Sequence, residues 1–315
     1  GNVNKEDDIR LDQKVRAAWM YYIAGLNQSE IASQLGTSRP VVQRLIAAAK
    51  DEGIVSIGLH HPVANCLDYA QLLKEKYQLT DCNIMPVYSI ESTLDSVTFG
   101  CYQLMARYLQ GDKPTIVGIG SGLTLKKTIK RIDFDSQNTR CVALISAMNE
   151  HGQCNYYDDV PLLLARKIQG KYYQWPAPRY AQSREEYQMW STNRLFRNVS
   201  TVARDSDVIF VGIGALGRQS PIFKDGFIDE QQLEELTARG GVGEILGRFI
   251  DAEGNVVESQ INQMITSHDI RESNCPRIAA ACGEDKRPAI LAALKGGWIN
   301  GLVTDEHTAR WLLTR

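Results

Sequence analysis

One short register constrains this chain more than any other feature. Counting Gln28 as the first place of a helix-turn-helix, Ala32 falls at the fifth, Gly36 at the ninth, Val42 at the fifteenth and Leu45 at the eighteenth. A small side chain suits a close helix crossing, and a glycine supplies the positive φ of the tight turn. Ile31, Leu35, Val42 and Leu45 then face a shared mini-core. Upstream, Leu11, Val15, Ala18, Trp19, Tyr22 and Leu26 recur at helical intervals, which predicts an amphipathic helix from about Leu11 to Gly25. The recognition helix is expected from about Ser38 to Asp51, with Thr37 or Ser38 as cap and Pro40 in the first turn, where a missing N–H costs little. In such modules the start of the second helix enters the major groove. That places Ser38, Arg39, Gln43 and Arg44 as base or phosphate contacts, with Gln28 and Thr37 at the helix starts beside them. For Arg39 and Arg44 a solvated helix face is the competing reading. Ile54-Val55-Ser56-Ile57 alternates toward a short strand and predicts a small wing.

Charge supports that assignment locally. The 315 residues carry a formal net charge of -2, but Ile9 to Lys50 holds six cations against two acids. Hydrophobic residues at 43% and charged residues at 23% exclude a disordered or collagenous chain. Seven cysteines are scattered without a CxxC pair, so free thiols are expected, with no metal and no cofactor. The opening stretch GNVNKEDDIR lacks signal-peptide character and no run reaches the roughly 20 apolar residues of a membrane span, so a cytoplasmic protein without membrane contact is expected.

Three segments are expected: residues 1–60 as a helix-turn-helix DNA-binding domain, 61–80 as a connector and oligomerisation helix, and 81–315 as an α/β domain. A helical pattern runs from about Pro62 to Leu79. Strands are predicted at Cys82–Val87, Thr115–Gly118, Val142–Ile145, Val208–Gly212, Ile278–Cys282 and Trp298–Val303. Helices are predicted between them, at about Thr93–Leu109, Leu123–Arg131, Asp158–Lys167, Arg194–Arg204, Asp229–Thr237, Pro288–Lys295 and Asp305–Leu313. This alternation predicts a doubly wound, mostly parallel sheet covered on both faces.

Its sharpest chemistry lies in Thr115-Ile-Val-Gly-Ile-Gly-Ser-Gly-Leu-Thr124, an apolar strand that turns through Gly120, Ser121 and Gly122 into a helix holding Thr124. Glycines admit a ligand to the backbone, and amides at a helix start with two hydroxyls suit an anion. The spacing fits neither a P-loop nor a dinucleotide fingerprint, and a packing role for the glycines stays open. A second turn, Val211-Gly-Ile-Gly-Ala-Leu-Gly217, ends another strand, where ligands of open α/β sheets collect. Gly243 to Asp251 with Gly254 reads as a hairpin, in which Glu244 and Asp251 either grip sugar hydroxyls or are turn carboxylates. Lys286, after Cys282-Gly-Glu-Asp, is placed to face a phosphate or is an exposed lysine.

Taken with the helix-turn-helix, the motifs GIGSGLT, VGIGALG, VGEILGRFID and CGEDKRPAILAALKGGWINGLVTDEHTAR resemble the SorC family of sugar-responsive bacterial transcription regulators over essentially the whole chain. The resemblance implies an effector domain similar to glucosamine-6-phosphate deaminase and ribose-5-phosphate isomerase, a sugar or sugar-phosphate effector of the sorbose or sorbitol type, operator DNA as partner, and a homo-oligomer, often a tetramer. It places the phosphate loop on Gly120, Ser121, Gly122 and Thr124, the sugar-facing acid on Glu244 with Asp251 beside it, and the phosphate-facing lysine on Lys286. The related enzymes use acidic catalysts after a middle strand. Here that run, Leu144 to Glu150, has only Glu150 at its end, so no catalytic residue is assigned. The alternative is a sugar-phosphate isomerase or deaminase carrying an added DNA-binding module.

Overall fold

The computed structural model describes residues 2–58, 63–154 and 159–315, with side chains from residue 4 onward. Pro62 and Asp158, where two helices were expected to begin, lie outside the described residues. The chain divides into two compact units, Gly1–Leu59 and His60–Arg315.

In the first unit lie helices α1 (Asn2–Tyr22), α2 (Gln28–Leu35) and α3 (Arg39–Asp51). Asn27 starts α2 by accepting the Glu30 amide at 2.8 Å, while the Glu30 carboxylate accepts the Asn27 amide, a reciprocal cap. Gly36 ends α2 at φ +67°, and Ser38 caps α3 by accepting the Val41 amide. Ala17, Ile31, Ala32, Val42 and Ile46 form the core, with Leu35 and Leu45 half-buried at its margin. Two expectations need correction. Leu11, Val15 and Trp19 are 49%, 45% and 55% exposed; of the expected face Ala18 is buried, next to a fully buried Ala17, and Met20 packs at the core margin, so α1 turns a face shifted toward its small residues to the core. No wing strand occurs at residues 54–58. The amides of Ile54 and Val55 instead donate to the Ala49 carbonyl at 2.9 and 3.2 Å and close the end of α3.

The second unit runs α4 (Ala64–Tyr77), β1 (Asp81–Met85), α5 (Ile90–Leu109), β2 (Thr115–Ile119), α6 (Leu123–Lys130), β3 (Thr139–Ala143), α7 (Val160–Ile168), β4 (Lys171–Tyr173), α8 (Arg184–Thr192), α9 (Arg194–Arg204), β5 (Val208–Val211) and β6 (Gly214–Ala215). It continues through α10 (Pro221–Lys224), α11 (Glu230–Ala238), β7 (Gly241–Ile245), β8 (Arg248–Asp251), α12 (Gln260–Met264), β9 (Arg277–Ala280), α13 (Arg287–Lys295), β10 (Gly301–Asp305) and α14 (Glu306–Leu313). The large sheet has the order β1-β10-β9-β5-β2-β3-β4, with every neighbouring pair parallel.

Both faces are buried, and the period of two explains how. Val117, Ile119, Val208 and Phe210 enter one apolar layer with α5, α6 and α7. Ile116, Ile209 and Val211 enter the other with α4, α9, α13 and α14. Leu73 of α4 is fully buried there, packed among β1 and α14. The edge strand β4 was not predicted, being three residues long, nor was α8, which buries no side chain and so shows no apolar period.

A smaller antiparallel sheet, β6-β7-β8, covers a separate cluster that includes Tyr180, Ile222, Leu233, Leu236 and Phe249. Its hairpin reverses at Leu246 and Gly247, with φ +50° and +78°, the left-handed pair that matches strand twist. Gly254 makes a further turn after β8.

His268 ties these parts together. Its amide donates to the Leu144 carbonyl at 2.9 Å, and its Nε2 lies 2.8 Å from Ser273 Oγ. Ser273 spends its one proton on the Ala203 carbonyl, so the imidazole must carry its hydrogen on Nε2. Burial, with smaller effects from Arg248 and Arg204 against Asp269, pushes the His268 pKa from 6.5 down to about 4. The folded state therefore favours the neutral ring. Its contribution is complete above pH 6.5 and is lost as pH falls toward 4, in total about 3 kcal/mol. Denaturant titrations at pH 7 and pH 4.5 should show His268→Gln losing less stability on acidification than wild type; equal losses would remove this ring from the acid response.

Candidate functional site

The crossovers of the large sheet diverge at one place. From β2 the chain proceeds to β3 and β4 on one side, and from β5 to β9 and β10 on the other. Crevices outside the carboxyl ends of strands at such a switch point are where open α/β sheets take ligands.

Both glycine turns lie in this crevice. The Gly120 amide donates to the Phe210 carbonyl at 2.9 Å, so that amide belongs to the sheet and not to a ligand. A Cβ on Gly120 would meet Leu246 Cδ2 at 3.0 Å, and one on Gly212 would meet the Ser121 carbonyl at 3.5 Å. Glycine 120 thus serves packing, and the two turns touch. Gly122 is different: φ is +122° and a Cβ there would face open space. Among the described residues, the amides of Ser121, Gly122, Leu123 and Thr124 have no backbone acceptor, as expected at a helix start. Ser121 is half-buried and Thr124 buried beside them.

Glu244 and Lys286 approach the same turn through β6. Gly214 of β6 pairs with Glu244 of β7, and a Cβ at Gly214 would collide with the Glu244 carboxylate. Glu244 Oε2 accepts the Gly247 amide at 2.7 Å, which fixes the hairpin turn and leaves Oε1 beside Gly214. Lys286 is half-buried on the short 3₁₀ turn Glu284–Lys286, which packs against β6. The Gly283 amide before that turn donates to Asp305 Oδ2 at 3.4 Å, anchoring it to the end of β10. Ser121, Gly122 and Thr124 thus stand at the start of α6, Glu244 stands beside Gly214 of β6, and Lys286 stands on the turn that packs against β6.

Asp251 is not. Its Oδ1 accepts the amides of Glu253 and Asn255, both at 3.0 Å, and so shapes the turn at Gly254. That turn packs on Gly296 after the last residue of α13, and Trp298 Nε1 donates to the Gly254 carbonyl at 2.7 Å. Lys286 precedes the first residue of α13, so the nine-residue helix puts about 13 Å between them. Glu150, the acid left at the enzymes' catalytic position, is exposed and lies 3.4 Å from His151. Among the described residues no group of His, Cys, Asp and Glu is arranged to hold a metal ion. Arg179, in the loop after β4, also reaches this edge of the sheet. No motif in the sequence marks it.

In the first unit, three of the DNA-contact candidates form one network. Gln28 Oε1 accepts from Gln43 Nε2 at 2.8 Å and from Arg39 Nε at 3.3 Å. Arg39 and Gln43 are exposed, as is Arg44, whose Nε contacts the Pro40 carbonyl at 3.4 Å. Ser38 is the cap, while Thr37 is half-buried and its amide donates to the Ala32 carbonyl. The Asn27–Glu30 cap was missed, although the Asn-x-x-Glu spacing signals it.

Comparison with known proteins agrees with both units. Residues 61–314 match the family described as “Putative sugar-binding domain”. Full-length SorC, the sorbitol operon regulator of Klebsiella pneumoniae, superposes with a TM-score of 0.70 at 26% identity, covering 98% of this chain and 99% of that one. This chain belongs to the SorC family of sugar-responsive transcription regulators. Similar relatives include the erythritol catabolism regulatory protein EryD of Brucella abortus, 30% identical over 302 residues and 95% of each chain. The transcriptional regulator LsrR of Escherichia coli K12 is 31% identical over 313 residues, 96% of this chain and 94% of its own. As a SorC-family member the chain is a DNA-binding regulator with a sugar-binding domain, and not a sugar-phosphate isomerase or deaminase. Among the described residues no helix is long and apolar enough to cross a membrane.

The Asp251 geometry yields a direct test. Asp251→Ala removes a carboxylate that satisfies two amides, so unfolding free energy should fall by about 1–3 kcal/mol in urea titration. Ligand-induced stabilisation should persist in that variant. Its disappearance would return Asp251 to the ligand.

Proposed function

We propose that the chain represses or activates a carbohydrate-utilisation operon in the cytoplasm, binding operator DNA through α3 and releasing or tightening it when a sugar, polyol or sugar phosphate occupies the crevice between β2 and β5. What supports the effector reading most is the start of α6, where, among the described residues, the amides of Ser121, Gly122, Leu123 and Thr124 have no backbone acceptor at the switch point of the sheet; Glu244 beside Gly214, and Lys286 on the turn that packs against β6, belong to the same edge in this reading. Donors at a helix start favour an anion, and an ammonium opposite strengthens that preference. In this reading the amides of Ser121, Gly122 and Thr124 with the two hydroxyls and Lys286 hold a phosphate, Gly120 lets Leu246 and β5 close on the cradle, and Glu244 reads hydroxyls. Asp251 supports the hairpin from its far end. EryD and SorC have erythritol and sorbitol in their names, which favours an effector rich in hydroxyl groups here.

On the DNA side, Gln28 holds Arg39 and Gln43 ready for base contact, with Ser38, Thr37 and Arg44 toward phosphates. One helix-turn-helix reads only a few base pairs, so a homo-oligomer, dimer or tetramer, presents paired modules.

Arg39→Ala should abolish operator-specific binding with the fold intact, since a bidentate arginine–guanine contact is worth about 1–3 kcal/mol per half-site. Gel-shift titration against operator and scrambled duplexes decides this. Equal weakening on both makes Arg39 a phosphate contact, and no weakening removes it from the interface.

Calorimetry with a sugar and its phosphate tests the crevice. Ser121→Ala and Lys286→Ala should each weaken the phosphate by about 1–3 kcal/mol and spare ligand-free operator binding. Glu244→Gln should weaken both ligands alike. If Ser121→Ala affects neither ligand and wild type binds the free sugar at least as tightly, the glycine loop is a packing device.

A further inference from the structure

The chain enters the second unit on the same edge of the sheet that carries the crevice. All strands of the large sheet are parallel, so the turns after β9, β10 and β1 stand in one row with the turn after β5. The first turn of α4, the first helix beyond the boundary between Leu59 and His60, meets that edge: Cys66 Sγ lies 4.0 Å from Oε2 of Glu306, just after β10. Burial, and then the charge of Glu306, push the Cys66 thiol up to about 11, so an S–H group faces the carboxylate. Val63 precedes α4 without a side-chain cap, and a carboxylate beside such a helix start is favourable.

A row of contacts joins this helix to the Lys286 turn. The Gly283 amide, which opens that turn, donates to Asp305 Oδ2 at 3.4 Å. From the other end of the turn Arg287 Nε donates to Thr308 Oγ1 at 3.3 Å, and the Thr308 hydroxyl donates on to Asp305 Oδ2 at 2.8 Å. Asp305 is buried, and its Oδ1 accepts the Thr308 amide at 2.8 Å, so it is fixed to the start of α14. Glu306 is next in the chain. Its Oε1 accepts the Val87 amide at 2.8 Å, after β1, while Oε2 faces Cys66. These links are not equally firm. The bonds to the Thr308 and Val87 amides have ordinary lengths, whereas the Gly283 bond is long and is the one that a displaced turn alters first.

We propose that Asp305 and Glu306 are a relay pair that passes occupancy of the crevice to the start of α4, where the chain comes in from the first unit. The relay rests on reading the crevice as the effector site. An anion that draws in Lys286 moves the Gly283–Arg287 turn and changes the Gly283–Asp305 bond. Through the adjoining Glu306, this changes the hold on Val87 and on Cys66. A ligand shifts a conformation only through contacts that differ between its states, and the long Gly283–Asp305 bond is that contact. Both acids are positioning residues.

Hydrogen exchange of the full chain, in inorganic phosphate and in chloride at matched ionic strength, tests this with two variants that each cut one link. Asp305→Asn keeps an oxygen for the Thr308 amide but loses the acceptor for Gly283. Glu306→Gln keeps an oxygen for Val87 but loses the acceptor for Cys66. In wild type, phosphate should slow exchange at residues 121–124. It should also change exchange, by about threefold or more, at Val87 and at residues 67–70, the first hydrogen-bonded amides of α4. Asp305→Asn should keep the response at 121–124 and lose the other two, and Glu306→Gln should lose only that at 67–70. The difference between the two salts is the readout, which a merely structural role would leave unchanged. A wild-type response confined to 121–124 would overturn the relay and leave the crevice as effector site. Full responses at Val87 and 67–70 in Asp305→Asn, or at 67–70 in Glu306→Gln, would overturn it too. Loss of the 121–124 response in Asp305→Asn would make Asp305 a support of the cradle and not a relay. No response at 121–124 in wild type would remove the anion cradle, and the relay with it.

Discussion

The close approach of two backbone turns, after β2 and after β5, governs how the carboxyl edge of the sheet is built. Gly212 stands 3.5 Å, measured from its would-be Cβ, from the Ser121 carbonyl, and Gly120 sits under Leu246. A side chain at Gly120 would push on Leu246, whereas a Cβ at Gly212 would meet the Ser121 carbonyl in ordinary contact. Because the turns meet, β6 leaves the sheet directly beside the start of α6. The pairing of β6 with β7 then fixes where Glu244 stands, and its packing against the Glu284–Lys286 turn fixes where Lys286 stands. A parallel sheet with both faces buried supplies the stiffness this arrangement needs, since Val208, Phe210, Ile209 and Val211 are all fully enclosed.

The first unit follows a different logic, in which polar preorganisation matters more than enclosure. Its core is small, with Ile31 and Val42 as its fully buried branched side chains. The surface proposed to read DNA is exposed, and its order comes from Gln28, whose carbonyl oxygen holds two side chains of α3 at once. Each donor still has hydrogens left for DNA: the second amide hydrogen of Gln43 and the terminal nitrogens of Arg39. Side chains fixed before binding lose less entropy on binding.

Features set by local rules were legible in the sequence. Ala32 and Gly36 have one mechanical role each at fixed spacing, and the structure places them as small crossing residue and left-handed cap. The apolar strands and the glycines that end them were legible for the same reason, which was enough for the doubly wound sheet. The turns holding Glu244 and Lys286 were legible as loops after strands with two readings each, and the family resemblance chose the ligand-facing one. Features that depend on which partner arrives were not legible. The large residues of α1 form a regular stripe, yet burial falls to Ala17 and Ala18, since closeness to α3 decides the face. Ile54 and Val55 alternate like a strand but find the end of α3 before any second strand. Asp251 looks like a neighbour of Glu244 along the chain, but the hairpin carries it to the other end of α13.

Backbone hydrogen exchange of the full chain, with and without the sugar or sugar phosphate that most raises its melting temperature, tests the central claim most directly. Ligand in the switch-point crevice should slow exchange at the amides of residues 121–124, where no backbone acceptor now protects them, and leave the Asp251–Asn255 turn unchanged. Unchanged exchange at 121–124 with slowing confined to the 251–255 turn would contradict it and move the effector to the opposite end of α13.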